Sequence, residues 1–267
     1  SDLAAYFGKA NRTGVAIPFS ISVTQDFKKP NEYTLMTWQN GLGLPDREYY
    51  LQNDAKMVSI RQQYVAHIQN MLRLAGIANP AEAATTIMAL ETKMATQHMT
   101  KEDTRETAKL YNKYALKDLK TLMPDFDWNA MLHNAGLDKQ PVLVVSQVAY
   151  TKSLNAIIKD TPIATWKTYL KWGVINKSAS ALTTTLDKQN FEFYGKTLYG
   201  TEKQQEDWKR GVNAVNGGLG EVVGKVYVKK HFSPEAKERM TGMVKNLLKA
   251  YAESIKKLDW MSANTKK

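Results

Sequence analysis

Cysteine is missing altogether from the 267 residues. That excludes disulfides, thiolate metal sites and a cysteine nucleophile. Histidine is scarce: His67, His98, His133 and His231 are the four in the chain. None stands three to five residues from another, so no zinc pair can share a helix face and His-Glu-x-x-His is absent. There is no Gly-x-Ser-x-Gly elbow and no acidic loop of calcium-binding form. Apolar runs long enough to span a bilayer, about 20 residues, are also lacking. The chain opens on Ser1-Asp-Leu-Ala-Ala without the apolar core of a signal peptide.

What is there is ordinary for a globular protein: 43% apolar and 24% charged residues. The formal charge of +11 invites an anionic partner, nucleic acid above all. The lysines, however, are spread along the chain, and the densest run is only Lys225-Val-Tyr-Val-Lys229-Lys230-His231. No phosphate loop and no aromatic-interleaved RNA-binding motif accompanies them, so the expectation is a solvated basic face and no nucleic acid.

Periodicity divides the chain. Residues 1–14 read as a short helix ending near Gly14. Ile17, Phe19, Ile21 and Val23 alternate with polar residues, which is strand spacing. Lys29-Pro30-Asn31 reads as the turn, and Tyr33–Trp38 as the returning strand. After Tyr50 the spacing becomes helical. Met57, Ile60, Tyr64, Ile68, Met71 and Leu72 form one stripe, with His67 at its boundary. Asn79-Pro80-Ala-Glu82 opens a second helix, and a third is expected over Thr104–Tyr114. Pro141–Val145 reads as a strand or as the lead-in to a helix at Ala149–Ile158. Thr161-Pro162 opens another helix. Thr201-Glu-Lys-Gln204 matches a capping box before a helix carrying Trp208, Val215, Leu219, Val222 and Val226 on its inward face. Gly211, Gly217, Gly218, Gly220 and Gly224 within it predict either a break near Gly217-Gly218 or a face packed very closely against another element. Ser233-Pro234-Glu235 opens a long helix with Met240, Met243, Leu247, Tyr251 and Leu258 inward. Ser262 caps a further element that the chain does not complete, which reads as a piece of a longer protein.

The fold expected is therefore mainly α, a multi-helix lobe with a small β-hairpin near the N-terminus. Its division is expected at 1–200, a cap lobe with the hairpin at about 17–38, and 201–267, long helices. The search for chemistry nominates no catalytic, cofactor-binding or metal residue. His98-Met-Thr-Lys-Glu102 lacks a further ligand and reads as an exposed or capping histidine. Gly41-Leu-Gly-Leu-Pro45 lacks the third glycine of a dinucleotide loop; it reads as a turn stack that aims Tyr49 and Tyr50. Asn11-Arg-Thr and Asn176-Lys-Ser are glycosylation sequons of the kind that arise by chance.

Three segments carry a resemblance. Gly41-Leu-Gly-Leu-Pro-Asp-Arg-Glu-Tyr-Tyr50 resembles the Gly-Leu-Pro-x-Arg-x-Tyr-Tyr signature of the neprilysin-like zinc endopeptidases. Tyr111-Asn112-Lys113, with Leu116 and Leu119, is similar to that family's Tyr-Asn-Lys segment. Leu198-Tyr-Gly-Thr201, Trp208-Lys-Arg210, Val215-Asn216, Gly224-Lys-Val-Tyr-Val228, Phe232 and Leu258-Asp-Trp-Met-Ser262 match in order the end of its N-terminal region. The resemblance covers roughly residues 17–267.

That resemblance implies two lobes around a closed chamber. One would hold zinc, which activates water with a glutamate as general base; the other would be a helical cap that limits substrates to small peptides. It implies that this chain is the cap, non-catalytic alone and holding no cofactor of its own. Zinc and peptide hydrolysis would belong to the parent, and the partner would be a C-terminal catalytic lobe. The missing cysteines set the chain apart from the disulfide-rich animal members and favour a bacterial source, and suit an exported or a cytoplasmic protein alike. The location expected is periplasmic or otherwise extracytoplasmic with the signal removed, the cytoplasm being the alternative. A stand-alone basic module for an anionic partner is the competing reading.

Overall fold

The computed structural model describes residues 2–266. It falls into two units, Ser1–Lys203 and Gln204–Lys267.

The first unit opens with α1 (Asp2–Thr13), which stops at Gly14, whose φ of +68° suits glycine. Then come β1 (Phe19–Asp26), β2 (Lys29–Gln39), α2 (Glu48–Leu51), α3 (Ala55–Leu74) and α4 (Pro80–Ala95). A 3₁₀ turn at Asp103–Arg105 precedes α5 (Thr107–Leu110), β3 (Lys113–Ala115) and a second 3₁₀ stretch at Leu116–Thr121. α6 (Trp128–Ala135), β4 (Val142–Val145), α7 (Val148–Asp160), α8 (Ile163–Ser178), α9 (Thr184–Asn190) and a π-helical turn at Phe191–Leu198 complete it. The architecture is mainly helical, as the spacing predicts.

The strands form one sheet in the order β1-β2-β4-β3. β1 and β2 are the expected antiparallel hairpin, with Phe19 opposite Gln39 and Val23 opposite Leu35. β4 lies parallel to β2, Met36 facing Val144, and β3 runs antiparallel to β4. Leu143, Val144 and Val145 are fully buried. A continuous apolar run is what a strand covered on both faces requires, and that settles Val142–Val145 as strand. Beside the sheet, Phe7, Phe19, Phe126, Trp128 and Trp166 pack ring to ring at centroid distances of 5.2–6.0 Å. Gly8 lets α1 approach α6, since a Cβ there would strike the Met131 carbonyl.

Four sequence expectations are corrected. The hairpin turn lies at 27–28, not at Lys29-Pro30-Asn31, because the Asp26 carboxylate accepts from the Lys28 and Lys29 amides and closes the turn early. Thr104–Tyr114 is no continuous helix: Asn112 exchanges hydrogen bonds with Val145 and draws the chain into the sheet. α4 starts at Pro80 as expected, but Asn79, the capping residue of that reading, lies in the left-handed region (φ +51°) and makes no side-chain cap; a residue before proline is disfavoured in the helical region. Thr201 does not open a helix, for its amide closes the preceding π turn onto the Gly195 carbonyl.

The second unit contains α10 (Asp207–His231) and α11 (Pro234–Lys256). α10 departs from helical geometry at Leu219 (φ −128°), directly after the expected break at Gly217-Gly218. Ser233 caps α11 through the Ala236 amide at 3.2 Å. The inward faces expected of these helices are not covered. Neither helix contains a buried residue, and Trp208, Val226, Met243, Leu248 and Tyr251 are each more than half exposed. Amphipathic spacing specifies a face; it does not supply the surface that covers it.

Candidate functional site

The segment Gly41–Tyr50 is built around a buried carboxylate. Glu91 occupies the apolar stripe of α4 between Ile87 and Met94 and is 1% exposed. It accepts from the Tyr50 hydroxyl at 2.6 Å, from the Tyr64 hydroxyl at 3.0 Å and from the Gly43 amide at 3.2 Å. The Tyr50 oxygen in turn accepts from the Gly43 and Leu44 amides at 3.1 and 2.9 Å. From the other side the Tyr169 hydroxyl donates to the Gly41 carbonyl (2.8 Å) and the Tyr194 hydroxyl to the Gly43 carbonyl (3.1 Å). The expected turn stack that aims Tyr50 is thus present, and Glu91 is what it aims at. Burial raises the Glu91 carboxyl to about 7, although the donors around it oppose the rise. Burial likewise pushes Tyr50, Tyr64 and Tyr169 well above the ordinary phenol range. These hydroxyls are fixed donors, not titrating groups. Sequence reasoning passes over Glu91; the legible signal is a glutamate standing inside an apolar helical stripe.

The loop continues to Arg47, whose Nη1 donates to the His98 carbonyl at 2.6 Å. Gln39 clamps Met99 both ways, accepting from its amide at 2.7 Å and donating to its carbonyl at 3.0 Å. His98 is buried, not exposed, with its ring edge-on to Tyr150 at 4.6 Å. Burial, and then the Arg47 charge, holds it at about 4 against a hydrogen bond to the Asn40 backbone. His67 is no boundary residue either. It is 2% exposed and stacks on Phe193 at 4.8 Å, and burial lowers it to about 3.

Tyr111-Asn112-Lys113 forms a second polar knot. The Tyr111 hydroxyl (2.8 Å) and the Lys113 ammonium (3.1 Å) converge on Asp26, which is 1% exposed. Burial would raise Asp26, but the Lys28 amide, Tyr111 and Lys113 outweigh it and hold the carboxyl at about 2. The motif ties the hairpin turn to the sheet.

The histidines do not converge. His133 is exposed beside Asp138 (3.0 Å), and His231 packs on Tyr227 near the end of α10. Among the described residues no group of three or more His, Asp or Glu side chains could hold a metal ion, so the residues present do not fit a zinc site. Nor is any helix among them long and apolar enough to cross a membrane.

The architecture is a mainly helical lobe with a small four-stranded sheet. The sequence profile of peptidase family M13 matches residues 1–267, and the chain belongs to that family, the neprilysin-like metallopeptidases, as its N-terminal region. It is 28% identical over 258 residues to human endothelin-converting enzyme 1, covering 93% of this chain and 33% of that protein. It is 27% identical to mouse endothelin-converting enzyme-like 1, covering 93% and 32%. The inhibitor complex of the Mycobacterium tuberculosis zinc metalloprotease Zmp1 superposes with a TM-score of 0.88 at 35% identity, over 99% of this chain and 40% of that one. PepO from Lactobacillus rhamnosis HN001 shares the fold, with a TM-score of 0.79 at 18% identity over 99% and 42%. The chain therefore spans about a third of the length of the curated relatives it matches.

Proposed function

We propose that this chain is the cap lobe of a bacterial, extracytoplasmic zinc endopeptidase, walling a chamber that admits small peptides. Zinc and the groups that activate water would come from a catalytic lobe elsewhere in the polypeptide. Family membership and the length of the relatives support this reading, as does the lack of a fitting zinc ligand set among the described residues. The observation that carries it is the pair of helices α10 and α11. They present apolar stripes over 48 residues in all without burying one of them. Each 100 Å² of apolar area covered stabilises by about 2.5 kcal/mol, and large bare patches mark contact surfaces. The partner these stripes call for is the catalytic lobe.

The test is reconstitution. The chain is mixed with the separately produced, zinc-loaded remainder of the full-length polypeptide. Expected are a stable complex, slower hydrogen exchange across residues 205–260, and cleavage of short peptides but not of folded proteins. No association, with exchange across 205–260 unchanged, defeats the proposal. Tight, salt-sensitive polyanion binding by the chain alone would favour the basic-module reading instead.

A further inference from the structure

β1 ends the sheet, whose strand order is β1-β2-β4-β3, so its outer backbone groups are left to whatever lies beyond it. At Ile21 that is Asn11 of α1. The Ile21 amide donates to Asn11 Oδ1 at 2.8 Å, and Asn11 Nδ2 donates to the Ile21 carbonyl at 2.9 Å. The carboxamide thus pairs with Ile21 as the peptide group of a neighbouring strand would. Outward pairing of both groups puts Ile21, opposite Thr37, at a non-hydrogen-bonded position of the β1–β2 ladder. Such positions recur every second residue, so Val23 (opposite Leu35) and Gln25 (opposite Tyr33) also turn N–H and C=O outward. The 2.9 Å bond from the Asn40 amide to the Pro18 carbonyl sets the same alternation at the other end of the pair. No strand among the described residues lies beyond Val23 and Gln25 to pair with them. We propose that this stretch of the β1 edge is a strand-addition site for an extended peptide, which pairs with the N–H and C=O of Val23 and Gln25.

Natural edge strands are blunted by proline, by charge or by a bulge. Phe19 to Gln25 holds neither proline nor a charged residue. Asn11 closes the edge at Ile21, and the register shift between Gln25 and Asp26 closes it at the tip. Between these stops lies a window for a strand of about four residues, near the short end of natural strands. The face of the hairpin that carries Phe19, Ile21 and Leu35 is buried there, but it runs on past the core to Val23 and Tyr33, which are 63% and 80% exposed. A residue paired with Val23 sets its side chain on that apolar face, and its neighbours set theirs beside Ser22 and Thr24. The fitting occupant is therefore a peptide with apolar residues at alternate positions, its main chain supplying the bonds and those side chains the selectivity. A second copy joined through so short a window falls far below the roughly 1,200 Å² of a stable interface. The edge is preorganised, since Asp26 holds the turn through the Lys28 and Lys29 amides and is itself held by Tyr111 and Lys113.

That the peptide is one the parent enzyme cleaves rests on the peptidase reading; strand addition at this edge does not. The experiment titrates the isotopically labelled chain with acetyl-Thr-Val-Thr-Val-Thr-amide and follows backbone amides by NMR. Saturable shifts and slowed hydrogen exchange are expected at the Val23 and Gln25 amides, with little change at Ser22 and Thr24, whose groups already face β2. Methylating both valine nitrogens of the probe removes the N–H groups that face β1 and is expected to weaken binding at least tenfold. Methylating the central threonine nitrogen, which faces away, is expected to leave binding within about twofold. Val23→Pro deletes an N–H that β2 does not use, at an edge position where proline is tolerated, and is expected to weaken binding at least tenfold with the fold intact. The proposal is overturned by no saturable shift, by equal binding of the two methylated probes, by shifts centred away from β1, or by concentration-dependent dimerisation through β1, which would give the edge to a second copy. The two methylated probes decide the matter even if the proline variant fails to fold. No catalysis enters the readout, so failure here leaves the reconstitution test of the cap reading untouched.

Discussion

Glu91→Gln isolates the titration of the buried carboxyl, since the amide keeps the size of glutamic acid and cannot ionise. In the folded chain Glu91 sits at about 7, against 4.5 for an ordinary glutamate. The folded state therefore binds more protons than the unfolded state between those values, and ionisation weakens the fold as pH rises through that window. Each pH unit between them is worth roughly 1.4 kcal/mol, which makes the full effect about 3 kcal/mol. The wild-type protein should lose that much stability relative to Glu91→Gln between pH 4.5 and a little above 7, with no further change beyond. Comparing the two proteins cancels the opposing contribution of His67 and His98, whose folded values of about 3 and 4 favour the fold as pH rises towards 6.5. The assay is urea denaturation at closely spaced pH values. A difference curve flat from pH 4.5 to 7.5 would refute the reasoning, since it would mean that the carboxyl ionises as freely in the fold as in water.

His67→Phe fills the same stacked position without burying two unpartnered ring nitrogens, and it should stabilise by about 1–2 kcal/mol at neutral pH. It should also remove part of the stability loss that accompanies acidification from 6.5 towards 3, as denaturant melts at several pH values would show. Gly43→Ala places a Cβ against the Tyr64 hydroxyl, and overpacking of this kind costs about 3 kcal/mol; an unchanged melting temperature would contradict the geometry of the loop. Asp26→Asn should lower the melting temperature at neutral pH. The deficit should vanish on acidification from about 4 towards 2, because a lowered carboxyl gives stability above its unfolded value and loses it as pH falls through the folded one.

The sequence by itself determined the local elements and the family. Alternation placed the hairpin, 3.6-residue spacing placed α3, α8 and α11, and Ser233-Pro234 fixed the start of α11, because these signals depend on neighbours within a few residues. The Gly41–Tyr50 and Tyr111–Lys113 motifs pointed to the neprilysin-like peptidases without showing what each motif does. Only the tertiary structure decided that. Glu91 is 41 positions from Tyr50, and Asp26 is 85 from Tyr111. Partnerships over such separations leave no periodic trace, so His67 reads as a boundary residue and His98 as an exposed or capping one although packing buries both. The same reason explains the lost helix at Thr104–Tyr114, where a strand 33 residues away at Val145 outbid weak local helix signals. For α10 and α11 the limit runs the other way. Spacing announces an apolar face with clarity, but burial belongs to whatever surface meets it, and neither α10 nor α11 holds a buried residue.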